Sequence, residues 1–382
     1  MDVSKLPADV TAVRIDIEDT TDGNSVATGL VKNLGSQTVI ITKSTADGSD
    51  GSNETDDGAK IVVTPATDTS ADSVNVTLDA IGAHVNADRG LAEVDLGNYE
   101  TINISNNKSS SVTANEVSTL TASLATSVAV TGDANLTLGN IVGGNLTSFD
   151  ASALAGTLTA TFDVSTNDKI TAKAATKNTT FNFGTSLDNN DTVVGGAGTA
   201  DKVTATFSNR TATSGKLSIS GVETVSLTTS VANTIDLAGV TGLKNLEVTG
   251  GVNTIKGYDL ATKLVTGAGS SVKLTAADAT GSSDTLTLQS NIATTGSNTV
   301  EAKNIENLVI TVKDTAGVTH LNTYDLTKFE GTSVTATQSA DSDVANNTRV
   351  TLGTLHKNVT SVDTSGLKEG QTFSVANATA AT

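Results

Sequence analysis

One short phrase recurs along this chain: an apolar residue, two polar ones, an apolar one, two variable positions and usually Ser or Thr. It reads YETINIS from Tyr99, LTSFDAS from Leu146, VETVSLT from Val222, LKNLEVT from Leu243, IENLVIT from Ile305, LTKFEGT from Leu326 and VTSVDTS from Val359. Four copies keep step, because Val222 and Leu243 are 21 residues apart, Ile305 and Leu326 are again 21 apart, and the 62 between Leu243 and Ile305 hold a whole number of such steps. Leu264 and Leu286 fall close to the missing steps, and Val203, Phe183 and Phe162 continue the series backwards. A repeat of this length is the signature of a solenoid, in which no coil buries its apolar face alone and each stacks on the one below. The prediction is that Val222, Leu243, Ile305 and Leu326 stand in one file.

Composition makes the coils strands. The 37% of hydrophobic residues are mainly Val, Ala, Leu and Ile, aromatics are 3%, and Trp is absent, so the core is a narrow aliphatic one. Thr and Val favour a pleated, half-buried surface. Pro7 and Pro65 are the two prolines, so beyond them turns must come from Gly, Asn, Asp and Ser. A second phrase, Asp followed by apolar alternation, begins at Asp72 (DSVNVTL), Asp168 (DKITAKA), Asp201 (DKVTATF) and Asp284 (DTLTLQS). It predicts a turn ending at Asp and a strand with one buried face. The fold expected is all-β: a parallel β-helix (β-solenoid) over residues 93–382 and a smaller N-terminal β region over 1–92. The latter reads as strands AVRIDIED, TVIITKS, AKIVVTP and DSVNVTLDAIGAHV between long polar loops, an arrangement open to a sandwich.

The formal charge is −18, with 30 Asp against 11 Glu. Such a surface repels nucleic acid and anionic membranes and is compatible with calcium, a hard cation that takes oxygen ligands. The absence of Cys removes disulfides, zinc-thiolate sites and thiol nucleophiles. No stretch approaches the ~18 apolar residues of a membrane span. The N-terminus MDVSKLPADV lacks a basic segment followed by an apolar run, so export would need a signal elsewhere. The acidic loop from Thr45 to Ala59 departs from an EF-hand, since Ser52 stands where the turn glycine belongs.

The stretch DNNDTVVGGAGTADKV, Asp188 to Val203, concentrates the chemistry. As a dinucleotide loop it offers Gly196 and Gly198, but Asp201 replaces the third glycine and a strand pattern follows where a helix is required. As a β-roll calcium unit, G-G-x-G-x-D-x-U-x, it matches at Gly195, Gly196, Gly198, Asp201 and Val203 with one additional residue before the Asp. NNDTV matches the second half of such a unit, with Asn189 in place of glycine. The candidate Ca²⁺ (Ca2+) ligands are therefore Asp188, Asn189, Asp191 and Asp201 with the backbone of Gly195, Gly196 and Gly198, and Asp284 in GSSDTL is a weaker echo. The third reading is an Asx and glycine turn between coils, with no ion.

The phrases GVETVSLT, NIENLVIT, NYETINIS and TGLKNLEVTGG, with DTVVGGAGTADKV, resemble the repetitive β-helical region of Gram-negative RTX-type S-layer proteins, such as those of Caulobacter and Campylobacter. The likeness covers Glu93 to Gly366. It implies a secreted, calcium-dependent structural protein that self-assembles into an array at the bacterial cell surface, exported by a type I system and held to lipopolysaccharide through another region. Tandem perfect nonapeptides, a helical anchoring domain and an export segment after Phe373 are missing from the pattern.

An enzyme is not expected. His84, His320 and His356 have no acidic or nucleophilic neighbour in sequence, and no G-x-S-x-G, H-E-x-x-H or phosphate loop occurs. A polysaccharide-degrading solenoid would want aromatic platforms, and Tyr99, Tyr258 and Tyr324 are far apart. An adhesin or phage-fibre module on the same solenoid is the main rival.

Overall fold

The structure is a computed structural model that describes residues 1–7, 9–17, 28–43, 59–81, 91–110, 112–164, 169–211, 214–267, 270–290, 296–312, 321–338, 349–367 and 372–377. Among them there is no helix; the chain is a parallel β-solenoid. It divides into two compact units, Met1–Thr204 and Ala205–Thr382.

In the first unit, alternate strands belong to alternate sheets. The first sheet holds Ala12–Ile17, Thr38–Lys43, Ser73–Asp79, Thr101–Asn107, Ser127–Gly132, Ser148–Leu154, Thr171–Lys173 and Thr192–Val194. The second takes the strands between them, from Thr28–Leu34 to Thr179–Asn182, and then residues 202–204. Each strand pairs in parallel with the strand one coil on, for example Ile102 with Val128 and Leu136 with Leu158. Backbone hydrogen bonds continue the stacking through a corner, from Thr126 N to Glu100 O, Thr147 N to Thr126 O and Thr171 N to Thr147 O.

Alternation decides which face is buried. In TINISNN, Ile102, Ile104 and Asn106 turn inward, while Thr101, Asn103 and Ser105 turn out. Asn106 can be inside because its amide is satisfied: Nδ2 donates to Ala134 O at 2.8 Å, and Oδ1 accepts from Asn115 Nδ2 at 2.8 Å. Part of this core is aromatic. Phe149 meets Phe162 and Phe181 edge-on, with centroids 5.4 and 6.0 Å apart, and Phe162 stacks on Phe183 at 4.8 Å.

Parallel pairing runs straight through residues 92 and 93. Ala59–Pro65 pairs with Leu91–Asp95, and Ser73–Asp79 with Thr101–Asn107 in seven-residue register. The strands of residues 1–92 are thus coils of the same solenoid unit; a sandwich would have brought antiparallel partners.

The second unit begins with a short pair, Ser218–Ser220 and Val240–Thr241. Two longer sheets follow, one from Thr224–Thr229 to Ser361–Gly366 and one from Asn233–Asp236 to Thr372–Asn377. The single file expected of Val222, Leu243, Ile305 and Leu326 is broken here. Val222 and Leu243 do hold equivalent places before Val225 and Leu246, which pair. The file then continues Leu246, Leu264, Leu288, Ile310, so Ile305, which precedes Leu308, is displaced by one inward position. Leu326 lies in the other sheet, in Leu321–Phe329. The cause is coil length, which is 18 residues from Leu246 to Leu264 and 24 from Leu264 to Leu288. Additional residues go into the corners, where a parallel stack tolerates them, so register is kept while sequence period is not.

Candidate functional site

The glycine stretch forms the turn between the strand Thr192–Val194 and the strand that begins at Lys202. What its backbone approaches is the preceding coil. A Cβ on Gly196 would lie 1.8 Å from Ala175 O, and one on Gly198 would lie 2.8 Å from both Asn178 N and Asn178 Oδ1. Glycine is required at these places by the closeness of the stacked turns. The turn is sealed from below by Asn178, whose Oδ1 accepts from Thr199 N at 3.1 Å and Ala200 N at 3.3 Å.

The two aspartates at its ends are buried, Asp191 at 3% and Asp201 at 1% exposure, and both face backbone amides. Asp191 Oδ1 accepts from Ile170 N at 2.9 Å and Oδ2 from Asp188 N at 2.8 Å. Asp201 Oδ1 accepts from Thr179 N at 2.7 Å and Oδ2 from Gly196 N at 2.8 Å. In each, one oxygen closes the local turn and the other reaches the N–H at the start of the strand one coil back. We term this arrangement a staple.

The staple recurs. Glu100 Oε2 accepts from Asp72 N at 2.7 Å, and Glu306 Oε2 from Asp284 N at 2.9 Å. Asn233 Oδ1 takes Arg210 N at 2.7 Å, and Asn298 Oδ1 takes Ser270 N at 3.0 Å. Glu100 and Glu306 are the second residues of the phrases YETINIS and IENLVIT, and Asp201 opens DKVTATF. Both recurring phrases therefore contain the same element, an acceptor placed where a strand begins. It works beside the backbone carbonyls of the preceding coil, which take the amides at other strand starts, as Glu100 O does for Thr126 N and Thr126 O for Thr147 N.

Calcium does not fit this donor set. A calcium ion takes six to eight oxygens at about 2.3–2.6 Å. Here both oxygens of Asp191 and both of Asp201 are turned toward N–H groups, whose positive ends oppose a cation. Asp188 is half-exposed, with Oδ1 and Oδ2 accepting from Asn190 N at 2.6 Å and Asn190 Nδ2 at 3.2 Å. Asn189 is exposed and Gly195 half-buried. Asp284, in the second unit, uses Oδ2 to accept from Gly281 N at 3.1 Å. Among the described residues no three His, Asp or Glu side chains come together as a ligand group. In this structure the glycine stretch forms an Asx and glycine turn between coils.

His84 and His320, and the acidic residues 44–58, lie outside the described residues. His356 Nδ1 accepts from Asn358 N at 3.2 Å. Tyr99, Tyr258 and Tyr324 are inside, at 1%, 0% and 0% exposure, so none offers a ring to a sugar. Burial pushes the Tyr99 and Tyr258 hydroxyls up, and Tyr258 donates to Thr262 O at 2.5 Å. A shallow groove in the second unit is lined by Lys273, Asp278, Thr280, Glu301, Lys303 and Asn304. Its Glu301 is bound by Lys273 Nζ at 2.8 Å, which is the main reason its carboxyl is held below the ordinary range. No described helix is long and apolar enough to cross a membrane. Comparison with family models, with curated proteins and with solved structures gives no match for this chain.

Proposed function

We propose that this chain is a structural building block of a self-assembling array outside the cell, of the surface-layer kind, and is not an enzyme. The observation that carries this reading is the staple. The carboxylates Glu100, Asp201 and Glu306 of the recurring phrases, with Asp191 beside them, are bound within the coils, where they hold one coil to the next. A repeat whose polar positions serve stacking is suited to being long, stiff and regular.

Calcium belongs to this reading between copies. Copies carrying a charge of −18 repel each other, and a divalent cation shared by surface carboxylates reduces that repulsion. Because the staples need no ion, calcium is expected to govern assembly and to leave the stability of the isolated chain unchanged. Negative-stain images of the purified protein with calcium and with EDTA test this. Ordered sheets that disperse in EDTA are expected. Dispersed single particles under both conditions, or trimeric fibres with no lattice, would overturn the reading in favour of a binding module.

A further inference from the structure

The first strand of a stacked sheet has one side without a ladder, and such an edge is a template on which another strand can pair. In the first unit the first sheet starts with Ala12–Ile17, which carries the exposed Arg14 and Asp16. The second starts with Thr28–Leu34, and its edge is covered by Met1–Val3, which lies along it in parallel at the Asp2–Lys32 bridge. Lys32 N donates to Met1 O at 2.8 Å, Val3 N donates to Lys32 O at 3.0 Å, and Met1 N donates to Leu30 O. Asn33 ties the cover down. Its backbone is left-handed, at φ 58°, where the ladder to Ala59–Pro65 shifts register, and its Nδ2 donates to Asp2 Oδ1 at 2.9 Å. Val3 is 3% exposed and so adds a buried side chain at this end of the core. The chain then leaves the edge through a turn, Leu6 N to Val3 O at 3.1 Å, followed by Pro7. A cover of three residues opens at far less cost than the coils behind it, which are held on both sides.

We propose that Met1–Val3 is an autoinhibitory strap: closed, it keeps the second sheet from pairing with another strand, and released, it lets Thr28–Leu34 pair with the same strand of a second copy. The freed groups suit a two-fold. Leu30 O, Lys32 N and Lys32 O are the groups that the strap engages, so they point to the same side of the strand. An antiparallel register centred on Val31 sets Leu30 of one copy against Lys32 of the other, where each such pair exchanges two hydrogen bonds. Lys32 is the charged residue of this strand, and in that register it faces leucine and never its own copy. Pairing uses up the edge of both chains, so association stops at two. The inference does not rest on the array reading, because its test is run in EDTA, where that reading expects single particles.

The test uses the full chain in EDTA, sedimentation velocity over a concentration series, and hydrogen exchange at the Lys32 amide. Wild type is expected to sediment as one species at every concentration. Val3→Asp puts a charge into a buried position and is expected to release the strap, so that Lys32 exchanges faster and the sedimentation coefficient rises with concentration to that of a dimer. Asn33→Gly keeps the left-handed backbone without strain and removes only the tie to Asp2. It is expected to speed Lys32 exchange about tenfold and to associate more weakly than Val3→Asp, and it carries the same test should Val3→Asp melt far below wild type. Leu30→Lys added to either variant sets lysine against Lys32 of the other copy and is expected to return single particles. A variant whose Lys32 amide exchanges faster yet stays a single particle at every concentration would overturn the strap. A double variant that still associates, or oligomers that grow past two, would overturn the two-fold pairing of Thr28–Leu34.

Discussion

Asp201 and Thr179 are joined across one coil: the buried carboxylate accepts the threonine's backbone N–H at 2.7 Å, and its second oxygen accepts Gly196 N at 2.8 Å. This bond connects the two features that stand out in the sequence, the glycine-rich turn and the Asp that opens a strand. The same carboxylate that suggests an ion site fixes the height of one coil on the next. Short acidic side chains suit both tasks, because both require an oxygen close to the backbone of a tight turn.

Removing that carboxylate leaves two amides without an acceptor. Each unsatisfied buried donor costs about 1–3 kcal/mol, so Asp201→Ala is expected to destabilise by ~2–5 kcal/mol. Asp201→Asn keeps one acceptor oxygen and should cost less. Urea unfolding measures the loss, and amide hydrogen exchange should quicken at Thr179 and Gly196 in particular. The difference between wild type and Asp201→Ala is expected to be the same in calcium and in EDTA; a loss seen only with calcium would restore the ion site.

Gly196 and Gly144 make a matched pair. An alanine Cβ at 196 would lie 1.8 Å from Ala175 O, whereas at 144 no atom stands within 4 Å. The first substitution must force the stacked turns apart, and a cost of about 2 kcal/mol or more is expected. The second should be neutral or slightly stabilising, because it narrows the unfolded ensemble without strain. Thermal melts of the two variants settle the comparison.

Much of this was legible from residue pattern. Alternation in DKVTATF puts Val203, Ala205 and Phe207 inside, and all three are buried. Phe162, Phe183 and Val203, reached by stepping backwards along the repeat, lie in or just past strands of the second sheet of the first unit. Legibility ends at the corners. The step from Val39 to Val76 is 37 residues and that from Phe181 to Val203 is 22, yet both keep parallel register. Coil length is free because corner residues are not constrained by the ladder, so a fixed spacing misplaces Ile305 and Leu326. Sequence also cannot tell an acceptor for a cation from an acceptor for an amide. At Asp191 and Asp201 the carboxylates meet Ile170 N and Thr179 N, which stand 21 and 22 residues away.

The aromatic patch should dominate the stability of the first unit. Phe149 is fully buried and touches Phe162 and Phe181 edge-on, at interplanar angles of 88° and 89°. Truncation to alanine removes the burial and both ring contacts, and is expected to cost about 3–5 kcal/mol. Leu124→Ala, at a residue 38% exposed, should change stability by less than about 0.5 kcal/mol. Equal effects at the two positions in urea unfolding would show that the core lies elsewhere.

Acid should weaken the outer ion pairs and the N-terminal bridge only well below the ordinary carboxyl range, and the signs follow from the bonds. Asp2 accepts from Asn33 Nδ2 at 2.9 Å and from the Ser4 hydroxyl at 2.7 Å, which hold its carboxyl down to about 2. The Lys60 ammonium, 2.8 Å from Glu93, holds the Glu93 carboxyl below the ordinary 4.5 and is itself raised above 10.5 by that bond. A lowered carboxyl adds stability that is complete above its ordinary value and lost as pH falls through the lowered one. The raised ammonium adds stability that is complete below 10.5 and lost as pH climbs through the raised value. The Lys60–Glu93 contribution is therefore present between about pH 5 and 10 and fades on either side. With side chains 34% and 26% exposed, solvent screening limits it to a few tenths of a kcal/mol, at most about 1. Glu93→Gln should lower the melting temperature slightly at pH 7 and converge with wild type as pH falls through the lowered Glu93 value, where the wild-type carboxyl also becomes neutral. Melting curves that differ by the same amount at pH 7 and pH 3 would mean that the glutamate acts by packing and not by charge.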